Sequence, residues 1–200
     1  MEPIELGTCV LQYDFPEDLA KNLISMTEQL DEDAWIRSGL GNEGEIREYR
    51  TSTSIILNEK FPLWDAEVRK HFVPAVNDYC EKYDVKVSQD EGLQLLRYQK
   101  SNEYKFHSDG DWSMYRNVSA LIYLNPSEYE GGETYFKNQD LKVKPDKPAI
   151  VLFPGNYAYL HSAMPVTEGI KCVLVTWMND LPSGFKPGII YELAKLTARI

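Results

Sequence analysis

At 200 residues the chain has the length of one domain and can bury a sizeable core without help. Its 21 basic and 31 acidic side chains give a formal net charge of −10. This argues against nucleic acid or an anionic membrane as the main partner, since both attract Lys/Arg clusters, though a small basic pocket for an anionic ligand stays compatible with it. Hydrophobic residues at 43% and aromatics at 12% suit a folded globular protein rather than a disordered one.

The opening residues, Met1-Glu2-Pro3-Ile4-Glu5, have neither the basic head nor the apolar run of a signal peptide. Asp14-Phe-Pro-Glu17 reads as a helix start with Asp14 capping, and Leu19, Leu23, Met26 and Leu30 supply an apolar stripe at helical spacing. Gly39, Gly41 and Gly44 mark a loop, and Arg50 to Leu57 reads as a strand. From Pro62 to Tyr83 the residues Trp64, Val68, Phe72, Val76, Tyr79 and Tyr83 form a second helical stripe, with a bend expected at Pro74. After about residue 90, short apolar or aromatic runs alternate with turn residues. The expected strands are Leu93–Tyr98, Tyr104–His107, Val118–Leu124, Glu133–Phe136, Leu141–Val143, Ala149–Phe153, Tyr157–His161 and Cys172–Met178. This is an α+β, mainly β fold: a double-stranded β-helix (jelly roll) with N-terminal helices packed on its outer face, in a single domain. Residues 1–90 would be helical support with a short strand insertion, 91–179 the core and 180–200 a C-terminal tail. Three scattered cysteines, Cys9, Cys80 and Cys172, with no CxxC, make no disulfide framework and no thiolate metal site. The longest uninterrupted apolar stretch, Ala149 to Pro154, is far short of a membrane span, so a soluble, cytoplasmic protein is expected.

Two of the three histidines fall in one arrangement. His107 and Asp109 stand two apart at a strand end, which puts both side chains on one face, and His161 follows 54 residues later. Two imidazoles and a carboxylate on one side of a metal leave the opposite side open, the facial triad of non-haem Fe(II) sites. By itself an HxD pair is equally well a strand-end histidine bonded to a carbonyl, with the aspartate in an Asx-turn ahead of Gly110. The sequence after His161 adds weight: His161-Ser-Ala-Met-Pro165-Val166-Thr-Glu-Gly169-Ile-Lys171 leads into the apolar strand Cys172 to Trp177. Lys171 is the only charge entering that strand. Pointing inward it would demand an anionic partner; the alternative is a lysine snorkelling to solvent.

Together these residues resemble the prolyl 4-hydroxylase branch of the Fe(II)- and 2-oxoglutarate-dependent dioxygenases, whose pattern is RYxxGxxYxxHxD, a GGET-like turn and HxxxPVxxGxK. Here the blocks are Arg97-Tyr98-Gln-Lys-Ser101-Asn-Glu-Tyr104-Lys-Phe-His107-Ser-Asp109, Gly131-Gly132-Glu133-Thr134 and His161 to Lys171, spanning roughly residues 91–179. The strand Arg50-Thr51-Ser52 is also similar, and Ser101 departs from the family's usual glycine. The resemblance implies that His107, Asp109 and His161 bind Fe(II). It gives Lys171 the distal carboxylate of 2-oxoglutarate, and Tyr98 and Tyr123 hydroxyl bonds to that co-substrate. Tyr104 and Arg116 would line the peptide side. It further implies O2 as co-substrate, ascorbate dependence and a proline-containing protein or peptide as substrate. Competing readings are the same chemistry on a free amino acid or other small molecule, a zinc hydrolase on the same triad, and a non-catalytic jelly-roll module. Other signals carry no chemistry. Asp31-Glu32-Asp33 is a solvated helix end or turn, His71 a partly exposed helix residue, and Asp109-Gly110-Asp111 an incomplete calcium loop. Asn117-Val118-Ser119 is a glycosylation triplet by spelling only, and Gly131-Gly132 is a turn without the lysine of a phosphate loop.

Overall fold

The computed structural model describes residues 2–38, 49–110 and 115–180. The glycine-marked loop at Gly39, Gly41 and Gly44, Asp111 and nearly all of the C-terminal tail lie outside the described residues.

The chain opens with a hairpin, β1 (Ile4–Gly7) and β2 (Val10–Asp14), where a helix had been expected to come first. The run Val10-Leu-Gln-Tyr13 is buried throughout, so it lacks the alternation by which a half-exposed strand is recognised. Asp14 ends β2 opposite Ala149 and pairs with Lys147 at 2.9 Å; it does not cap the helix, whose first turn follows Pro16 without a side-chain cap. That helix, α1 (Glu17–Glu28), buries Ala20, Leu23 and Thr27. β3 (Ile36–Arg37) and β4 (Thr53–Ile56) follow, then a short α2 (Leu57–Lys60) where the strand was expected to run on to Leu57. α3 (Pro62–Tyr83) has the expected bounds and continues past Pro74. Its N-terminal Pro62 suits a first turn, and Asp84 closes it in the left-handed conformation. The remaining strands are β5 (Gln89–Asp90), β6 (Gln94–Tyr98), β7 (Tyr104–His107), β8 (Val118–Tyr123), β9 (Tyr129–Gly131), β10 (Thr134–Phe136), β11 (Leu141–Val143), β12 (Ala149–Pro154), β13 (His161–Ala163), β14 (Val166–Gly169) and β15 (Lys171–Asn179).

Among the described residues the strands form a large sheet in the order β1-β2-β12-β8-β15-β6-β4-β3, with β5 also on β15, and a smaller sheet β11-β10-β13-β7, with β14-β9 beside them. The large sheet uses both faces, and alternation sorts them. Leu95, Ile122, Ile150, Leu152 and Leu174 turn outward to a core shared with Leu23, Val68, Phe72, Val76 and Tyr79 of the helices. Leu96, Tyr98, Val173, Val175 and Trp177 turn inward, as do Tyr123, Val151 and Phe153, which meet Phe136 and Val143 of the smaller sheet. The result is the expected double-stranded β-helix with helices on its outer face. Lys171 shares the parity of Val173, Val175 and Trp177, so it enters the space between the sheets. It does not snorkel: only 2% of it is exposed.

One strand is a correction. Tyr157–Tyr159 is a turn of 3-10 helix, not a strand, because the Asn156 side chain accepts a hydrogen bond from the Ala158 amide and winds the segment up. His161 therefore begins a strand instead of ending one.

Candidate metal and co-substrate site

The smaller sheet brings the two histidines together. His161 on β13 pairs in register with His107 on β7, and their rings stand 4.3 Å apart. Asp109 lies two residues beyond β7 on a segment pinned from behind: the Gly110 amide donates to the Gly155 carbonyl at 2.6 Å, and Arg116 Nη1 donates to the Asp109 carbonyl at 3.1 Å. A side chain at Gly155 would meet the Arg116 carbonyl at 2.6 Å, which is why this crossing needs glycine. The result is a cluster whose candidate ligand atoms all lie within 4.8 Å of one another.

Its second contacts fix the protonation needed for metal binding. His107 Nδ1 meets the Lys105 carbonyl at 2.8 Å and His161 Nδ1 the Tyr159 carbonyl at 2.9 Å. A carbonyl only accepts, so each Nδ1 carries the proton and each Nε2 keeps its lone pair. Both Nε2 atoms face Asp109, at 3.5 and 3.6 Å from its two carboxylate oxygens. Ser119 donates to Asp109 Oδ2 at 2.7 Å. Burial alone would raise the Asp109 carboxyl, but the pull of His161, then that of His107 and the Ser119 hydroxyl, holds it well below the usual carboxylate range. Burial pushes His161 down to about 4, so it is neutral at pH 7.

A narrow cavity of about 40 Å3 joins the triad to Lys171, lined also by Arg50, Tyr98, Tyr104, Thr134 and Trp177. That is room for about one water, so groups seated there give up their hydration. Lys171 Nζ donates to the Gly132 carbonyl at 2.7 Å and faces the rings of Tyr98 and Tyr123 at 5.4 and 5.1 Å. Burial pulls its pKa down to about 7, with Glu133 opposing. The glycine pair has a structural reason: Gly131 and Gly132 both take positive φ, 68° and 65°, and a side chain on Gly131 would meet the Pro165 carbonyl at 2.4 Å. Ser101 has φ of 67°, so serine here adopts the left-handed turn that glycine would take without strain.

The other singled-out residues fall at different depths. Tyr104 is half-buried in the cavity wall, stacked on His107 at 3.6 Å under the Arg50 guanidinium at 4.8 Å. Tyr123 lies beneath Lys171 outside the lining, its hydroxyl bonded to Thr134 Oγ1 at 2.6 Å. Arg116 also stands outside it: two nitrogens clasp Glu91 at 2.7 and 2.5 Å, and the guanidinium lies 3.8 Å over Trp177. A second cavity of about 740 Å3 lies beyond Arg116, Ser108 and Gly110, and none of the three metal-site residues lines it. His71 is on α3, away from the triad, edge-on to Phe15. Sequence reasoning passed over Trp177, Thr134 and Ser119 as site residues, and Arg50 entered only through its strand. Strand parity was the available signal, since Trp177 shares a face with Lys171 and Ser119 with Tyr123.

The donor set, two imidazoles and one carboxylate with room on one side, is one that could hold a single metal ion between the sheets of a double-stranded β-helix. Comparisons with known proteins agree. Residues 93–179 match the family model of the 2OG-Fe(II) oxygenase superfamily. A protein of Acanthamoeba polyphaga mimivirus, provisionally named a prolyl 4-hydroxylase, is 29% identical over 138 residues, covering 59% of this chain and 57% of that protein. The PKHD-type hydroxylase YbiX of Shigella boydii serotype 18 is 24% identical over 193 residues, or 90% of this chain and 81% of the relative. The alignment thus spans little more than half of the mimivirus relative. In fold, the chain is similar to the viral collagen prolyl hydroxylase of Paramecium Bursaria Chlorella virus-1 in its 2OG complex, with a TM-score of 0.66 at 20% identity, covering 88% of this chain and 98% of that one. Over residues 93–179 the chain is thus similar to the 2OG-Fe(II) oxygenases, and its curated relatives carry hydroxylase names.

Proposed function

We propose that the protein is an Fe(II)- and 2-oxoglutarate-dependent dioxygenase that hydroxylates an unactivated C–H bond of a prolyl residue in a polypeptide, with succinate and CO2 as co-products. The observation that carries it is the His107–Asp109–His161 cluster sharing one narrow cavity with a buried lysine. When bound there, Fe(II) with 2-oxoglutarate and O2 supplies the oxidising chemistry. The protein's part is to hold and to exclude. His107, Asp109 and His161 offer two Nε2 lone pairs and a carboxylate, preset by the Lys105 and Tyr159 carbonyls and the Ser119 hydroxyl. Lys171 neutralises the distal carboxylate of the co-substrate, and Tyr98 donates its hydroxyl beside it. Tyr123 acts through Thr134, which lines the cavity while Tyr123 does not. Tyr104 fronts the target residue, whereas Arg116 positions: it steadies the Asp109 segment and the Trp177 ring. At about 40 Å3 the cavity is smaller than 2-oxoglutarate, so entry moves lining side chains, and Trp177 fluorescence reports it.

Prolyl substrate specificity is supported by the names of the relatives and by the half-buried Tyr104 beside His107. A zinc hydrolase would need a second carboxylate as base, and among the described residues Asp109 is the only one lining the cavity. A non-catalytic module would have no use for a buried lysine. Anaerobic titration with Fe(II) and then 2-oxoglutarate tests the reading. A visible charge-transfer band is expected with the native chain, weakened in Lys171→Ala and absent in His161→Ala; tight zinc binding with no band would defeat it. Proline-containing peptides are then screened by mass for one added oxygen atom.

A further inference from the structure

The strands that turn His107 and His161 inward turn a different surface outward. Register places Tyr135 opposite both Lys142 and Ser162, and Phe106 follows on the edge strand β7. Phe106 and Tyr135 meet edge to face at 5.8 Å, and Ser162 is buried between their strands. Lys137 Nζ lies 5.4 Å from the Phe106 ring and Lys142 Nζ 5.9 Å from that of Tyr135. This makes an unbroken cation–ring–ring–cation run, with Lys105 exposed beside it. The aromatic pair is not packing into a core: Phe106 is 38% exposed.

Charge sets this face apart. In a chain of net charge −10, Lys105, Lys137 and Lys142 form no ion pair with described residues, while most other described cations do. The one acid in the run, Asp140, accepts the Tyr135 hydroxyl at 2.9 Å. The turn carrying Lys137 is held in place, since Asn138 and Gln139 both donate to the Ala158 carbonyl at 2.9 and 3.0 Å. A rigid surface loses little freedom when something binds it.

We infer that this outer face of the smaller sheet, centred on Lys137, Phe106, Tyr135 and Lys142, is a docking surface for an acidic segment of a polypeptide. Carboxylates of such a segment meet the ammonium groups from the solvent side, and its aliphatic carbons cover the ring edges. A nucleic-acid strand fits less well. Bases stack on open ring faces, and here both rings carry a lysine. A segment held here lies on the far side of the sheet from the metal cavity, one strand edge away from it.

Binding, not turnover, tests this, so it fails or stands separately from the reading of the metal site. A fluorescently labelled Glu/Asp-rich peptide is titrated with the full chain at low and moderate salt, followed by anisotropy. Binding that weakens with salt is expected, with a loss of about tenfold or more in Lys137→Glu/Lys142→Glu and retention in Lys137→Arg/Lys142→Arg. All four substitutions are on exposed side chains, and the Fe(II)/2-oxoglutarate band is expected to be unchanged in them. The inference is overturned if the native chain does not bind the peptide, if charge reversal leaves binding intact, or if a Lys-rich peptide or an oligonucleotide binds as tightly.

Discussion

The buried Lys171 is expected to make co-substrate affinity a function of pH. In the absence of ligand its ammonium has a carbonyl and two ring faces for company, and burial brings its pKa down from 10.5 to about 7. A carboxylate arriving at Nζ restores the charged form, so binding above pH 7 must take up a proton. With a pKa near 7 the empty site is about half protonated at pH 7 and about one-tenth at pH 8. Proton uptake therefore rises from about 0.5 to about 0.9 per co-substrate, and affinity falls about tenfold per pH unit beyond 7. Metal ligation does not imitate this: His161 titrates near 4, and Asp109 lower still. The assay is anaerobic calorimetry of Fe(II)-loaded protein with 2-oxoglutarate at pH 7 to 9, in two buffers of different ionisation enthalpy. Lys171→Arg keeps its charge at every pH and is expected to bind weakly with a flat profile. A flat profile in the native chain, with no proton taken up at pH 8, would refute the argument that burial neutralises this lysine.

Other perturbations probe neighbouring parts of the site. Ser119→Ala removes the hydroxyl donated to Asp109 and is expected to weaken metal affinity about 10- to 100-fold, read by competition with a chelator, with the fold unchanged by circular dichroism. Acid should destabilise the metal-free protein through His161. Its folded pKa of about 4 lies below the unfolded value of 6.5, so the unfolded chain binds the extra proton and stability is lost as pH falls from 6.5 towards 4. The loss is about 2 kcal/mol by pH 5, measured by urea unfolding and absent in His161→Gln. Ser101→Gly relieves a left-handed serine and is expected to raise stability by up to about 1 kcal/mol, less the extra chain entropy of glycine. Gly132→Ala adds a methyl 3.1 Å from Tyr129 and Val166 and 3.3 Å from the Lys171 chain at a positive φ, and should cost about 1–2 kcal/mol and weaken the co-substrate band.

What could be read from the sequence follows from which features are local. Strands β6, β7, β8, β10, β11, β12 and β15 showed themselves as short apolar runs between turns, whereas the short β9, β13 and β14 did not, and α3 showed itself by a stripe along its buried face. Spacing placed His107 beside Asp109, and the motif blocks brought in His161 and Lys171. Strand β2 was missed because a strand buried on both faces has no alternation to detect. The Tyr157–Tyr159 segment looked like a strand from its aromatics, yet one Asn side chain wound it into a turn. Ser119 reaches Asp109 from β8 and Trp177 reaches the cavity from β15, and the pairing of those strands sets the two residues opposite each other. Arg116 matched a motif position, but its contact with Glu91, 25 residues away, is tertiary and leaves no trace in the local sequence.

Burial is the single physical cause behind both halves of the site. It pushes His161 well below neutrality, which keeps a lone pair free for a metal at pH 7, where Asp109 is ionised. It also discharges Lys171, which removes the cost of holding an ammonium in a dry space until an anion arrives. Opening that cavity to water would raise both groups together, costing metal affinity at low pH through a protonated histidine and selectivity for a dicarboxylate through a permanently charged lysine. The apolar partners on the inward face of β6 and β15, Leu96, Val173 and Val175, are therefore as much a part of the site's chemistry as the groups that touch a ligand. Val173→Thr, which keeps the shape but brings in a hydroxyl, is expected to move the pH midpoint of co-substrate binding upward with the triad untouched. An unchanged midpoint would show that the lysine's state is set by its immediate neighbours, the Gly132 carbonyl and the two tyrosine rings, and not by the dryness of the cavity.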